Sequence, residues 1–257
     1  MQQACIVDAV RLPRARIGKT GSKYSELRPV DMLKPLFKAL TSRQPIETSL
    51  VDDVILGCNT QVDGQGANIA KTAALYAGWS DSVSGATVNR FCCSGLDAIN
   101  IAASKIKSGM SDIVVAGGVE QISQVPMFKD KGDWFSNLKV MRATRFMHMG
   151  LSADLIACHL GFSREQLDAY ALRSHQRATN AAELNYFSKS LVPIEENALA
   201  IDNAVRPEAT SAQFEALPVA FAEALEQAKP ALAAAGLEGI ECRHSAGSSP
   251  ALVDGAS

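Results

Sequence analysis

The chain has 257 residues, 47 % of them hydrophobic and 20 % charged, enough to bury a sizeable core without disulfides or a structural metal. Lys plus Arg number 25 and Asp plus Glu 27, a net charge of −2, so the basic excess of a nucleic-acid-binding surface is missing. No apolar run approaches the roughly 18 residues of a membrane span, and the opening MQQACIVDAVRLPR lacks the long apolar run of a secretory signal. The expectation is therefore a cytoplasmic protein with no nucleic acid, no membrane and reduced cysteines.

The first half alternates strand and helix. The run ACIVDAV at 4–10 is apolar between polar flanks and predicts a buried strand. In RPVDMLKPLFKAL, Pro29 suits a first helical turn, and Met32, Leu33, Leu36, Phe37 and Leu40 recur at helical spacing around an interrupting Pro35. DDVILGCN at 52–59 predicts a second strand, and ANIAKTAALYAG a second helix ended by Gly78. ATVNRF at 86–91 predicts a third strand. CCSGLDAINIAASKIKSG then turns into a helix with Leu96, Ile99, Ala103 and Ile106 on one face and Gly109 at its end. SDIVVAGGVE is a fourth strand running into glycines. This order implies the α/β class, with a mostly parallel βαβ sheet and right-handed crossovers.

Beyond residue 120 the alternation stops. Residues 129–145 carry Lys129, Lys131, Lys139, Arg142 and Arg145 against Asp130 and Asp133, which suits either a solvated loop or contact with phosphates. MGLSADLIACHL predicts a helix. A stronger one follows in FSREQLDAYALRSHQRATNAAEL, where Ser163 and Gln166 form a capping-box pattern. Residues 190–216 are irregular, and 217–236 are Ala-rich and helical in composition despite Pro218 and Pro230. The map is an α/β domain at 1–119, an inserted loop-and-helix domain at 120–245, and a return to the first domain at 246–257.

The chemistry centres on VNRFCCSGLDA. Cys92 sits where a strand ends and a helix begins, so unpaired backbone N–H groups and the helix dipole favour a negatively charged nucleophile there. Ser94 and Gly95 keep the turn small. The carboxyl end of a parallel strand is also where α/β folds bind ligands. Against this, a free cysteine is commonly inert filling, and local physics leaves both readings open. The six cysteines match no C-x-x-C spacing, so no metal is expected.

DGQGANIAKTAALYAG, VNRFCCSGLDAI, VVAGGVEQIS, HMGLSADLIA, SREQLDAYALRSHQRA and SAGSSPALVDGA follow one another in the order of a thiolase, the family that makes or cleaves 3-ketoacyl-CoA. The resemblance runs over nearly the whole chain. It implies a thiolase-like fold and makes Cys92, the first position of C-x-S-G-L, the acylated nucleophile, with Cys93 a neighbour. It places His148 and Met149 of the HMG stretch, and Ala246, Gly247 and Ser249 of the SAGSS loop, along the CoA arm. The sequence departs from the family loop at Ser248, where Asn is common, and at Pro250, which lacks a backbone donor. The resemblance implies no cofactor beyond CoA as a substrate, acyl-CoA and CoA as small-molecule partners, and a homo-oligomer. The family's N-E-A-F, G-H-P and C-x-G-G strings do not occur, so the expectation is the amino-terminal portion with the carboxy-terminal half absent. Two other readings stand beside an active acyltransferase: a non-catalytic portion needing a second-half partner chain, and a thiol redox protein using Cys92 and Cys93.

Overall fold

The computed structural model describes residues 3–194, 199–237 and 239–257. They pack as two compact units, 1–130 with 186–204 and 252–257, and 131–185 with 205–251. Packing thus divides the chain elsewhere than periodicity does. Residues 120–130 and 186–204 lie with the first unit, and 246–251 with the second.

The first unit is built on a five-stranded sheet. Its strands are β1 (Ala15–Arg16), β2 (Asp53–Gly57), β3 (Ser84–Val88), β4 (Val114–Glu120) and β5 (Val253–Ala256), in the order β1-β5-β4-β2-β3. β2 pairs in parallel with both β3 and β4, while β5 runs antiparallel to β4 and to β1. The parallel part follows from the two crossover helices, α2 (Ile69–Tyr76) and α3 (Ser94–Ser108). β2 is buried along its whole length because both of its faces are covered. Val54 and Leu56 face the cluster built by Met32, Leu33 and Phe37 of α1 (Pro29–Arg43) and Ala70 and Ala73 of α2. Ile55, between them, faces Ala98 and Ala102 of α3. Buried Asp254 pins β5 by accepting from the Ser123 backbone N–H (2.9 Å) and hydroxyl (2.6 Å) and from the Ser22 hydroxyl.

Two local expectations are corrected. Residues 4–10 form no strand, and Ile6 and Val7 are 82 % and 69 % exposed. A strand exists only with a neighbour. The β5 ladder reaches back as far as the Leu12 N–H, bonded to Ala256 O at 3.0 Å, and Arg11 pairs instead with residues 190–192. The predicted apolar face of α3 is also not the packed one. Leu96 and Ile99 are exposed, whereas Ser94, Ala98 and Ala102 are buried. Small residues face the sheet because α3 approaches it over glycines: a Cβ on Gly57 would lie 2.2 Å from the Ser94 carbonyl carbon.

The second unit is helical: α4 (Asp133–Ser136), α5 (Leu138–Ala143), α6 (Met149–His159), α7 (Arg164–Glu183), α8 (Ser211–Glu215) and α9 (Ala222–Ala234). The α7 capping box forms as its sequence predicts. The Ser163 side chain accepts from Gln166 N (3.3 Å), and the Gln166 side chain accepts from Ser163 N (2.9 Å). Pro230 is accommodated inside α9, and Pro35 inside α1. No described helix is long and apolar enough to cross a membrane.

Candidate active site

Cys92 belongs to the first unit, and His148, Met149, Ala246, Gly247 and Ser249 to the second. In the first unit, β2, β3 and β4 are parallel, so their carboxyl ends lie together. β3 ends at Val88, whose carbonyl accepts from Cys58 N at 3.0 Å. The chain then turns sharply into α3. Phe91 takes a left-handed conformation (φ 51°), uncommon for a residue with a Cβ. Ser94 closes the turn: its hydroxyl accepts from Arg90 N (2.8 Å) and donates to Phe91 O (2.6 Å), and its own N–H donates to Phe91 O (3.0 Å). The Arg90 guanidinium pairs at 2.9 Å with Asp97 in the first turn of α3. The result is an elbow that leaves Cys92 exposed two residues before the helix begins. Cys93, the helix N-cap, is exposed too.

The strand ends beside the elbow are polar and tightly bonded. The Glu120 carboxylate accepts from Asn59 N (2.8 Å) and from the Gln65 side-chain amide (2.8 Å). Burial, and then the neighbouring Glu120 charge, push the Cys58 thiol up to about 12, so Cys58 stays a neutral thiol.

In the second unit, the HMG and SAGSS segments are tied through one stretch, residues 219–221. His148 is the N-cap of α6, its Nδ1 accepting from Gly150 N at 3.2 Å. Its ring lies 5.6 Å from that of Phe221. Gly150 is buried, and a Cβ there would meet the Phe221 ring at 2.4 Å. Residues just before Phe221 pair with the loop: Val219 bridges Ser245, and Ala220 N donates to His244 O at 2.9 Å. Within the loop, buried Ser245 accepts from Gly247 N (3.1 Å), and the Ser248 hydroxyl accepts from Ser245 N (2.9 Å). Gly247 has no room for a side chain, since a Cβ would lie 2.8 Å from Phe214. Met149, Ala246 and Pro250 are exposed, and Ser249 is half-buried.

Sequence reasoning missed the residues that hold these pieces. Asp154 of α6 is fully buried and accepts from Arg243 N (2.9 Å), His244 N (3.0 Å) and His244 Nδ1 (2.7 Å). Asp168 of α7 pairs with Arg164 at 2.6 Å, and that guanidinium donates to the Phe214 and Leu217 carbonyls. The available signal was an acidic residue on an otherwise apolar helical face, as in LSADLIA. Among the described residues, no group of three or more His, Cys, Asp or Glu could hold a metal ion.

A family model described as "Thiolase, N-terminal domain" matches residues 4–257. The 3-ketoacyl-CoA thiolase of Cronobacter sakazakii is 36 % identical over 264 aligned positions, covering 100 % of this chain and 63 % of that protein. The 3-oxoadipyl-CoA/3-oxo-5,6-dehydrosuberyl-CoA thiolase of Escherichia coli is 36 % identical, covering 86 % of this chain and 60 % of that protein. Among solved structures, the acetyl-CoA acetyltransferase of Bacillus anthracis matches with a TM-score of 0.80 and 31 % identity, over 99 % of this chain and 64 % of that one. This chain thus spans less than two thirds of the length of these relatives, and over that span it belongs to the thiolase family.

Proposed function

We propose that this chain carries the acyl-transfer nucleophile of a thiolase. In the synthetic direction the Cys92 sulfur attacks the carbonyl of an acyl-CoA thioester. The carbon–sulfur bond to CoA breaks, CoA leaves as its thiolate and takes up a proton, and the acyl group stays on Cys92. A second acyl-CoA, deprotonated next to its carbonyl, then attacks the acyl carbonyl: a carbon–carbon bond forms, the carbon–sulfur bond to Cys92 breaks, and the Cys92 sulfur leaves as a thiolate. In the thiolytic direction Cys92 attacks the 3-keto carbonyl of a 3-ketoacyl-CoA, acetyl-CoA leaves as a carbanion that is protonated, and free CoA takes the acyl group. The Cys92 backbone N–H is a donor for one developing oxyanion.

The observation that carries this reading is an exposed cysteine on a tight elbow, at the carboxyl ends of three parallel strands, in a chain of the thiolase family. His148, Met149, Ala246, Gly247 and Ser249 are proposed to line the CoA arm. Their support is that residues 219–221 tie both segments within one unit, leaving Met149 and Ala246 exposed. Pro250 has no N–H to offer that ligand. CoA is the substrate, no other cofactor is required, and a homo-oligomer in a reducing, cytoplasmic compartment completes the proposal. The reaction's proton transfers are assigned to a partner segment corresponding to the part of the relatives' length that this chain does not span.

Intact-mass measurement with peptide mapping after exposure to acetyl-CoA tests this. It is run on the chain alone, on the chain co-expressed with the carboxy-terminal part of a thiolase, and on Cys92→Ser. The expected result is one acetyl group on Cys92, lost in Cys92→Ser, with turnover of acetoacetyl-CoA only in the co-expressed arm. Acetyl on a different residue, or on none in either wild-type arm, overturns the reading.

A further inference from the structure

We infer that Asn89 is a positioning residue for Cys92, tying the elbow to the ends of the neighbouring parallel strands; as a role in catalysis this rests on the reading of Cys92 as nucleophile. Cys92 follows Phe91, whose left-handed backbone persists only where its surroundings over-determine it. Ser94 fixes the helix side of that turn through the Phe91 carbonyl. The strand side is fixed by Asn89. Its Oδ1 accepts from Phe91 N at 2.7 Å, and its Nδ2 donates to Asn59 O at 2.8 Å.

The first of these bonds is a local turn, which an Asn makes readily. The second is not local: Asn59 lies 30 residues away, just past the end of β2. Asn59 is itself held, its N–H donating to Glu120 at the end of β4, and the Gln65 amide bridges Glu120 and Thr60 O (2.8 and 2.9 Å). Glu120, Asn59, Asn89 and Phe91 therefore form one series of bonds from the ends of β4, β2 and β3 into the elbow. The polarity of the series fixes the residue type. A backbone N–H on one side demands an acceptor, and a backbone carbonyl on the other demands a donor, so the amide has one orientation. Asp would set two acceptors against each other at Asn59, and Leu would bond neither. Asn89 is exposed, so its contribution lies in these two bonds rather than in core packing.

Asn89→Ala and Asn89→Asp, made in the 257-residue chain, test this with two readouts that need no turnover. One is amide exchange at Phe91. The other is the ratio of Cys92 to Cys93 labelling under limiting iodoacetamide, with Cys58 as the reporter of unfolding. Asn89→Ala is expected to speed Phe91 exchange about fivefold, the factor of one net hydrogen bond, and to shift the Cys92:Cys93 ratio toward one, with Cys58 still protected. Asn89→Asp, which keeps the Phe91 bond, is expected to hold exchange nearer wild type. Wild-type Phe91 exchange and a wild-type labelling ratio in a folded Asn89→Ala overturn the inference. So does an Asp variant no better than Ala. If Asn89→Ala labels at Cys58, Asn89→Asp decides by its labelling ratio: it loses the Asn59 bond, so a ratio shifted toward one is expected, and a wild-type ratio overturns the inference. Acetyl transfer to Cys92 is followed in parallel. Its absence from the wild type counts against the acyl-enzyme reading alone, and leaves the exchange and labelling outcomes to decide on Asn89.

Discussion

Gly57 is the last residue of β2, and its missing side chain lets the first turn of α3 sit directly on the sheet. A Cβ there would lie 2.2 Å from the Ser94 carbonyl carbon and 2.4 Å from Gly95 N, both main-chain atoms that no rotamer change moves aside. Gly57→Ala is therefore expected to cost about 1–3 kcal/mol of overpacking and to displace the elbow that carries Cys92. Urea unfolding measures the first effect and Cys92 labelling the second. Gly78→Ala is the control: nothing lies within 4 Å of its Cβ, although its φ of 84° strains any side chain. A Gly57 variant as stable as wild type, with unchanged labelling, would show that the backbone gives way there. At this scale the sequence was legible where a short string sets its own geometry, as C-C-S-G did in marking the turn into α3. It was silent on Asn89 and Asp154, whose partners lie 30 and 89 residues away. Such bonds leave no periodic trace in the chain.

Helices were legible because their determinants are local. The α7 capping box, Pro29 at the start of α1 and Gly109 at the end of α3 each act within a few residues. Strands depend on neighbours, which is why ACIVDAV has a strand's composition yet forms none among the described residues. The helix face of α3 was misjudged because apolar size was taken as the packing signal, whereas glycines on the sheet select small residues opposite them. Tethers between helices are just as invisible to periodicity, and the one from α7 to the α8 segment is open to test. Arg164 and Asp168, with side chains 21 % and 6 % exposed, pair at 2.6 Å, and the guanidinium also caps the Phe214 and Leu217 carbonyls. Asp168→Ala leaves that cation with no carboxylate partner. The expected loss is about 2–3 kcal/mol, below the about 3–5 kcal/mol of a fully buried pair because Arg164 keeps some solvent. Replacing both residues, Arg164→Met with Asp168→Leu, is expected to recover part of the loss. Urea midpoints for the single and double variants check this; a double variant less stable than Asp168→Ala means the guanidinium's carbonyl bonds matter more than its charge pair.

At the scale of the whole chain, the alternation up to residue 120 made the α/β class and the parallel core of the sheet readable. The way residues 186–204 return to the first unit was not, because they are fastened at scattered points, by backbone bonds of Arg11 to residues 190 and 192, by Leu199 in the core and by side-chain bonds, rather than by a periodic pattern. Asp202 is one fastener. Its carboxylate takes a two-point ion pair from Arg11 at 2.8 and 2.9 Å and accepts from Arg14 N at 2.7 Å, while neighbouring Asn203 accepts from Arg16 N at 2.6 Å. Burial works to raise the Asp202 pKa, but the Arg11 and Arg14 hydrogen bonds and charges outweigh it and hold the group below its ordinary value. A carboxyl whose pKa is lower folded than unfolded binds its proton more readily in the unfolded chain. Its stabilisation is therefore fully present above the unfolded carboxyl range, near pH 4, and is lost as pH falls through the folded value. Asp202→Asn is thus expected to be less stable than wild type at pH 7, and the two urea midpoints to converge as pH drops toward 3. Parallel midpoint curves from pH 7 to 3 would mean that the contact stabilises through its geometry and not through its charge. Equal midpoints at pH 7 would mean that residues 186–204 are held to the sheet by something other than this ion pair.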